Sequence, residues 1–448
     1  EVRDLDMKRF EHKLPYEVSG HGVFNGKVGG SISHPIFRGE LKADAVTMNG
    51  VELREIRGFV HYENGIIDLE RTGFRQGTDG SVTARLRYDT ETRALRGALD
   101  IEKMDVTALL ALANQNEKRI TGKITSAVQL GGTLDNPSIA LTGEITEGAI
   151  ASYPVQNLAL DVALSDRVLT ITKFAGTQGD GSFSAVGTAD FDGTANVDIA
   201  VSDIALGMLT RFAGVEQEVT GTVSLTAHIG GQTQHPEADL KLTAKNGGTN
   251  GATFDDLTGE AQLRGSVIHL NQLTVTKYID GIAYAASAHG TLPLRALTAD
   301  RDETLDAYDQ LDLTIALDNA DLSLIPVFSN QVEWALGRTE GSLKLHGTLA
   351  APRLTGSLRV TGGAVKLRYF EYPLTDMQLR IDALGDALSV RECTGKMGAG
   401  TYLLTGRVEM AGMEPQSYDF TFVMNNLDLK TSFYEGPLSG TLRLTEGE

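Results

Sequence analysis

One phrase recurs four times along the chain at near-constant intervals. It reads glycine, a small or polar residue, three variable residues, then proline: Gly30-Ser31 to Pro35, Gly132-Thr133 to Pro137, Gly231-Gln232 to Pro236, and Gly347-Thr348 to Pro352. The prolines stand 102, 99 and 116 residues apart. A conserved internal order at a period near 100 means that one structural unit is used repeatedly, and that constrains the fold more than any composition does.

The agreement extends past the phrase. A glycine that opens a strand-like run stands 15 residues before each of the first three prolines (Gly20, Gly122, Gly221); in the fourth copy Gly341 takes this place, 11 before Pro352. Twenty residues after each of the first three prolines, a polar–apolar pair starts another run: Glu55-Ile56, Asn157-Leu158 and Asp256-Leu257, with Asp376-Met377 in the fourth copy. These landmarks divide the chain into residues 1–19 as the tail of a preceding repeat, repeats at 20–121, 122–220, 221–340 and 341–439, and the start of a fifth at 440–448. The third repeat is longer, and its extra length is assigned to an acidic insertion at about 293–310 that holds Asp300, Asp302, Glu303, Asp306 and Asp309. Beginning and ending inside repeats, the chain reads as a segment of a longer protein.

Within repeats apolar and polar residues alternate. Val223, Leu225, Ala227 and Ile229 are separated by Ser224, Thr226 and His228, and Leu158, Leu160, Val162 and Leu164 follow the same rule. Period two places one set of side chains on each face of a sheet. Most of the 50 glycines fall between such runs, as at Gly77–Gly80, Gly179–Gly181 and Gly398–Gly400, where tight turns are expected. The expected class is all-β: an elongated antiparallel repeat array with one apolar and one polar face. One short segment per repeat breaks the alternation and predicts a helical turn: Asp105–Leu110, Ala205–Leu209 and Asp321–Ile325.

The net charge of −19 argues against nucleic-acid binding, which needs a basic face. No run approaches the roughly 20 apolar residues of a spanning helix. A single Trp argues against the aromatic girdles of an outer-membrane barrel. The lone Cys393 excludes an internal disulfide. Gly26-Lys27 and Gly122-Lys123 lack the Ser or Thr of a phosphate loop, since Val28 and Ile124 follow. His34 and His235 share a repeat position that holds Asn136 and Ala351 elsewhere, as befits a turn rather than a metal ligand. No catalytic signature is present, so neither enzymatic activity, nor a cofactor, nor a metal is expected.

The phrases Gly132-Thr133-Leu134-Asp135-Asn136-Pro137 and Gly347-Thr348-Leu349-Ala350-Ala351-Pro352, each leading into a strand, resemble the TamB branch of the AsmA-like bacterial envelope proteins. So do the Asn157-Leu158-Ala159-Leu160 run and the Asp-Leu closing segments. The resemblance implies a β-sheet folded over into a "taco" groove with a hydrophobic interior and short helical turns between repeats. It implies a periplasmic location, an inner-membrane anchor outside this segment, and phospholipid as cargo moved between the inner and outer membranes. It also implies a second role, scaffolding of outer-membrane protein assembly with a barrel partner. A repeat-built adhesin stalk is the competing reading from the residues alone, but it predicts linkers and a buried Trp per module. The residues expected to line the groove are Ile124, Val128, Leu130, Leu158, Leu160, Val162, Val223, Leu225, Ile229, Leu343 and Leu345.

Overall fold

A computed structural model describes residues 2–6, 17–31, 34–115, 117–214, 218–249, 252–298, 309–324, 332–368, 370–412, 414–430 and 434–446. The chain forms two compact units. Unit 1 holds residues 1–204, 208–215 and 229–234; unit 2 holds 205–207, 216–228 and 235–448. The class is all-β with short helical turns. The strands are long, antiparallel and mostly joined by tight hairpins, and they do not close into a barrel.

In unit 1, β1 (Val2–Asp6) leads into two successive sets of six strands. The first set is β2 (Val18–Gly30), β3 (Pro35–Met48), β4 (Val51–Glu63), β5 (Ile66–Gln76), β6 (Gly80–Asp89) and β7 (Leu95–Asp105). Helix α1 (Val106–Leu112) closes it. The second set is β8 (Ile120–Gly132), β9 (Pro137–Ile150), β10 (Tyr153–Ser165), β11 (Val168–Gln178), β12 (Gly181–Asp190) and β13 (Ala195–Ala205), followed by α2 (Leu206–Phe212). Strand lengths run 13, 14, 13, 11, 10 and 11 residues in both sets.

The end of β13, α2 and strand β14 (Thr220–Gln232) contribute residues to both units. Unit 2 continues with β15 (His235–Thr249), β16 (Ala252–Arg264), β17 (Val267–Ile279), β18 (Ile282–Pro293), α3 (Arg295–Thr298), β19 (Gln310–Ala316) and β20 (Ala320–Asp321). A single 3-10 turn, Leu322–Leu324, precedes β21 (Val332–Thr348). Then come β22 (Pro352–Leu367), β23 (Leu374–Gly385), β24 (Ala387–Met397), β25 (Gly400–Ala411), β26 (Glu414–Lys430) and β27 (Glu435–Thr445). Most of the acidic insertion, including Asp300, Asp302, Glu303 and Asp306, lies outside the described residues. Asp309 is described and pairs with Arg295 at 3.4 Å.

The repeated phrase has a backbone cause. Gly30, Gly132, Gly231 and Gly347 all have positive φ, between 75° and 104°. A Cβ on Gly132 would stand 2.3 Å from the Asn136 carbonyl oxygen, so the turn requires glycine. The proline follows where the next strand begins, a position at which a missing N–H costs the ladder little; Gly30 opposes Pro35, Gly132 opposes Pro137 and Gly347 opposes Pro352. The opening glycines follow a second rule. Cβ atoms on Gly122 and Gly221 would meet the Cα atoms of Gly148 and Gly247 at 2.9 and 2.7 Å. In the fourth copy this close approach belongs to Gly337, whose Cβ would meet the Gly363 Cα at 2.6 Å. Gly337 is 15 residues before Pro352, so the close approach keeps the spacing of the other copies.

The helical turns sit where the alternation breaks. Asp105 caps α1: its Oδ1 accepts from the Thr107 and Ala108 amides at 2.9 and 3.2 Å and from the Thr107 hydroxyl at 2.5 Å. Asp321 plays the same part before Leu322–Leu324, accepting from the Ser323 and Gly337 amides at 2.8 and 2.9 Å. Ile325 lies outside the described residues. At the matching place before α2 stands Ala205, which has no capping oxygen. Burial pushes the Asp105 carboxyl up, but hydrogen bonds from Thr107 and Ala108, with Lys123 Nζ 3.8 Å away, outweigh it and hold the group below its ordinary range. Asp105→Ala is expected to destabilise α1 by about 1 kcal/mol, read by hydrogen exchange of the helix amides. A carboxyl with a lowered folded pKa stabilises fully above its ordinary range, near 4, and the contribution fades as pH falls through the folded value. Acid is therefore expected to release α1 in the native chain and to change nothing further in the variant.

Candidate functional site: an apolar sheet face with a closed crease

Directly opposed residues on adjacent antiparallel strands project to the same face, so the register assembles rows of side chains that cross the sheet. In unit 1 one row runs Ala84, Leu99, Val128, Leu141, Val162, Ile171, Gly187, Val197. The next, two residues along each strand, runs Leu86, Gly97, Leu130, Ile139, Leu164, Leu169, Ala189, Ala195. On the other side of the first row, Gly143, Leu160, Phe174, Ala185 and Ile199 oppose one another in turn. These side chains are mainly half-buried. They form a greasy floor two to three residues wide in every strand.

Toward the helical end the floor becomes a closed seam. Met104, Ile124, Ile145 and Leu158 oppose one another across β7 to β10, and their exposures are 0, 4, 5 and 0%. Beside this row lie Lys103, Glu147 and Asn157, non-glycine residues with φ of 46°, 51° and 53°. The ladder slips at two of these places, between Ile101 and Met104 and between Gln156 and Ala159. These are β-bulges, which bend a strand and sharpen its twist. Bulges aligned across neighbouring strands give a crease along which the sheet folds over. The pattern repeats beyond β10: left-handed Asp203, Asp376 and Asn426 each precede a buried Ile204, Met377 or Leu427. The polar–apolar landmarks Asn157-Leu158 and Asp376-Met377 are therefore bulge signals, and Glu55, φ 50°, belongs to the same class.

Unit 2 has rows of its own. One runs Ala288, Ile315, Leu343, Gly356, Ala383, Leu388, Val408, Tyr418. Another runs Val360, Leu379, Cys393, Leu404, Phe422, Leu442. Its closed part gathers Leu322, Ala335, Val360, Met377, Cys393, Met397, Tyr402 and Leu427. Burial pushes the Cys393 thiol up, as an apolar core does to any group that must ionise.

The expected lining residues thus divide. Leu130, Leu160 and Val162 are half-buried members of the floor of unit 1, and Leu343 and Leu345 hold the same standing in unit 2, where Leu345 opposes Leu313 and Leu354. Ile124 and Leu158 lie in the closed seam, and Val128, buried at 7%, belongs to the first floor row, two rows from the seam. On β14, Val223 is buried at 1% and Leu225 is half-buried in unit 2, while the half-buried Ile229 belongs to unit 1.

Among the described residues no helix is long and apolar enough to cross a membrane, and no group of three or more His, Cys, Asp or Glu residues is placed to hold a metal ion.

Long strands, a one-sided apolar face and a bulged crease repeated along the chain define a repeat-built β-groove protein. Residues 140–360 match the family model described as "TamB, N-terminal domain". The chain belongs to the TamB branch of the AsmA-like family and is a TamB-like envelope protein. No curated protein and no solved structure shows a significant match to it.

Proposed function

We propose that the chain is a non-enzymatic, periplasmic conduit that shields phospholipid acyl chains while the lipids pass between inner and outer membrane. The observation behind this reading is the set of half-buried aliphatic rows that cross strand after strand of each unit. A pocket for one ligand ends where its walls turn polar; these rows do not. Each methylene taken out of water contributes about 0.8 kcal/mol, so an acyl chain of some 14 methylenes gains on the order of 10 kcal/mol from such a face. Because the floor offers much the same surface at each strand, a lipid moves along it in small energetic steps. The closed seam holds the fold and the open rows hold the cargo.

The test is the lipid content of the protein. Native mass spectrometry of gently extracted chain is expected to show phospholipid bound along the array, more than one molecule per chain. Protein that emerges free of lipid, while still folded by circular dichroism, refutes the conduit and leaves a scaffold or a spacer.

A further inference from the structure

At the hairpin-turn edge of the first repeat, remote from the crease, the register assembles a second kind of row. Lys27 opposes Arg38, Arg38 opposes His61, His61 opposes Asp68, Asp68 opposes Arg87, and Arg87 opposes Arg96. The row crosses six strands, about 24 Å at 4.8 Å per strand. It places like charges directly opposite each other at Lys27–Arg38 and at Arg87–Arg96, an arrangement that destabilises a sheet. Partners relieve it only in part. Arg87 Nε reaches Asp68 at 3.8 Å, Arg38 meets a ring nitrogen of His61 at 3.3 Å, that nitrogen lies 3.3 Å from Glu63, and Lys27 and Arg96 have no carboxylate within 4 Å among the described residues. This happens in a chain whose net charge is −19.

The neighbouring residue in each strand points to the opposite face, and there the row reads Val28, Phe37, Tyr62, Ile67, Tyr88, Leu95. The Phe37 and Tyr62 rings lie 5.8 Å apart, tilted at 51° to each other, and Val28 and Phe37 are 70 and 38% exposed. A cationic outer row is thus backed, residue for residue, by an aromatic and aliphatic inner row. The second repeat supplies an internal control, because its six strands have the same lengths. At the same register its outer row is Gln129, Ala140, Ala163, Thr170, Thr188, Asn196, and its inner row is Leu130, Ile139, Leu164, Leu169, Ala189, Ala195. Both the charge and the aromatic rings are absent there, so the fold does not require either.

We infer that this edge of unit 1 is a headgroup site for anionic phospholipid. The Lys27–Arg38 and Arg87–Arg96 pairs, three strands apart, each hold one phosphate, and a lipid seated at Lys27–Arg38 passes over the hairpin edge to lay its upper acyl region on the Phe37–Tyr62 pair of the inner face. Paired cations one strand apart bracket a phosphate, and arginine binds its oxygens through a two-pronged fork. Aromatic side chains with a polar tip suit the boundary between headgroup and chain. A zwitterionic headgroup brings its own cation to this row and is repelled, whereas an anionic one is not. An acidic protein segment would match the charge but would leave the aromatic inner row without a use. The inference rests on the groove reading, since the acyl chains must continue along the inner face.

The substitutions that test it are those the second repeat already tolerates: Lys27→Gln, Arg38→Ala, Arg87→Thr and Arg96→Asn combined in the full chain. Binding is measured by titration with short-chain phosphatidylglycerol and short-chain phosphatidylcholine below micellisation, with glycerol phosphate and a polyglutamate peptide as further probes. The native chain is expected to favour phosphatidylglycerol at least tenfold, and the variant to bind both lipids alike, at the phosphatidylcholine level. A variant that keeps the preference overturns the site while leaving the groove intact. Glycerol phosphate binding as tightly as the lipid overturns it in favour of a free-anion site, and polyglutamate binding that the variant loses overturns it in favour of an acidic protein. If neither lipid binds the native chain, the groove reading itself fails and the headgroup site with it.

Discussion

Leu160→Arg is expected to strip bound phospholipid from the middle of unit 1 and to reduce lipid transfer by the full-length protein at least tenfold. Leu160 lies between Gly143 and Phe174, half-buried on the apolar face. A guanidinium there reaches solvent through the open side of the floor, so the fold tolerates it. An acyl chain passing over it must lose contact with several carbons or force the charge from water, and an unpaired buried charge costs far more than a methylene gains. Because a conduit works in series, one obstructed strand stops the flow through all of them. The check is twofold: lipid retained by the purified variant in native mass spectrometry, and transfer between donor and acceptor vesicles. Normal transfer by a well-folded variant excludes this face as the lipid path. Leu343→Arg is the same experiment in unit 2.

The second large effect concerns stability and separates seam from floor on a single strand. Leu158→Ala, at 0% exposure, is expected to cost about 2–5 kcal/mol, the usual range for a leucine truncated in a packed core. Leu164→Ala, half-buried six residues further along β10 on the same face, is expected to cost well under half as much. In a repeat array each unit contacts chiefly its neighbours, so unfolding need not be all-or-none and a global midpoint is a poor measure. Local opening free energies from amide hydrogen exchange in β9 to β11 are the proper readout. Equal losses at the two positions contradict the division into a closed crease and an open floor.

Much of this organisation is legible in the residues. The glycine–proline phrase marks hairpin turns because its glycines need positive φ and its prolines begin strands. The helical turn at Asp105 follows from a capping carboxylate placed where the alternation stops. Three things are not legible from order alone. Lys103, Asn157 and Asp203 adopt a left-handed conformation that nothing in their own identity demands; it is imposed by the strand register, and a polar residue followed by a buried apolar one is the faint trace it leaves. Gly337 and Gly341 are indistinguishable by type, and only the close approach to Gly363 selects the first. The basic row is the clearest case. Lys27, Arg38, His61, Asp68, Arg87 and Arg96 are scattered over some 70 residues, and each alone is an ordinary charged residue on a wet strand face. Pairing, not proximity in the chain, puts them in line.

The matched strand lengths of the first two repeats have an evolutionary consequence. In a sheet of this kind the width is set by how many residues each strand holds, and the length by how many strands there are. The two dimensions are independent, so duplication of a whole repeat adds strands without changing the width. On the proposed function, a lineage whose membranes lie further apart needs only a recombination event, and no fresh design of the apolar face.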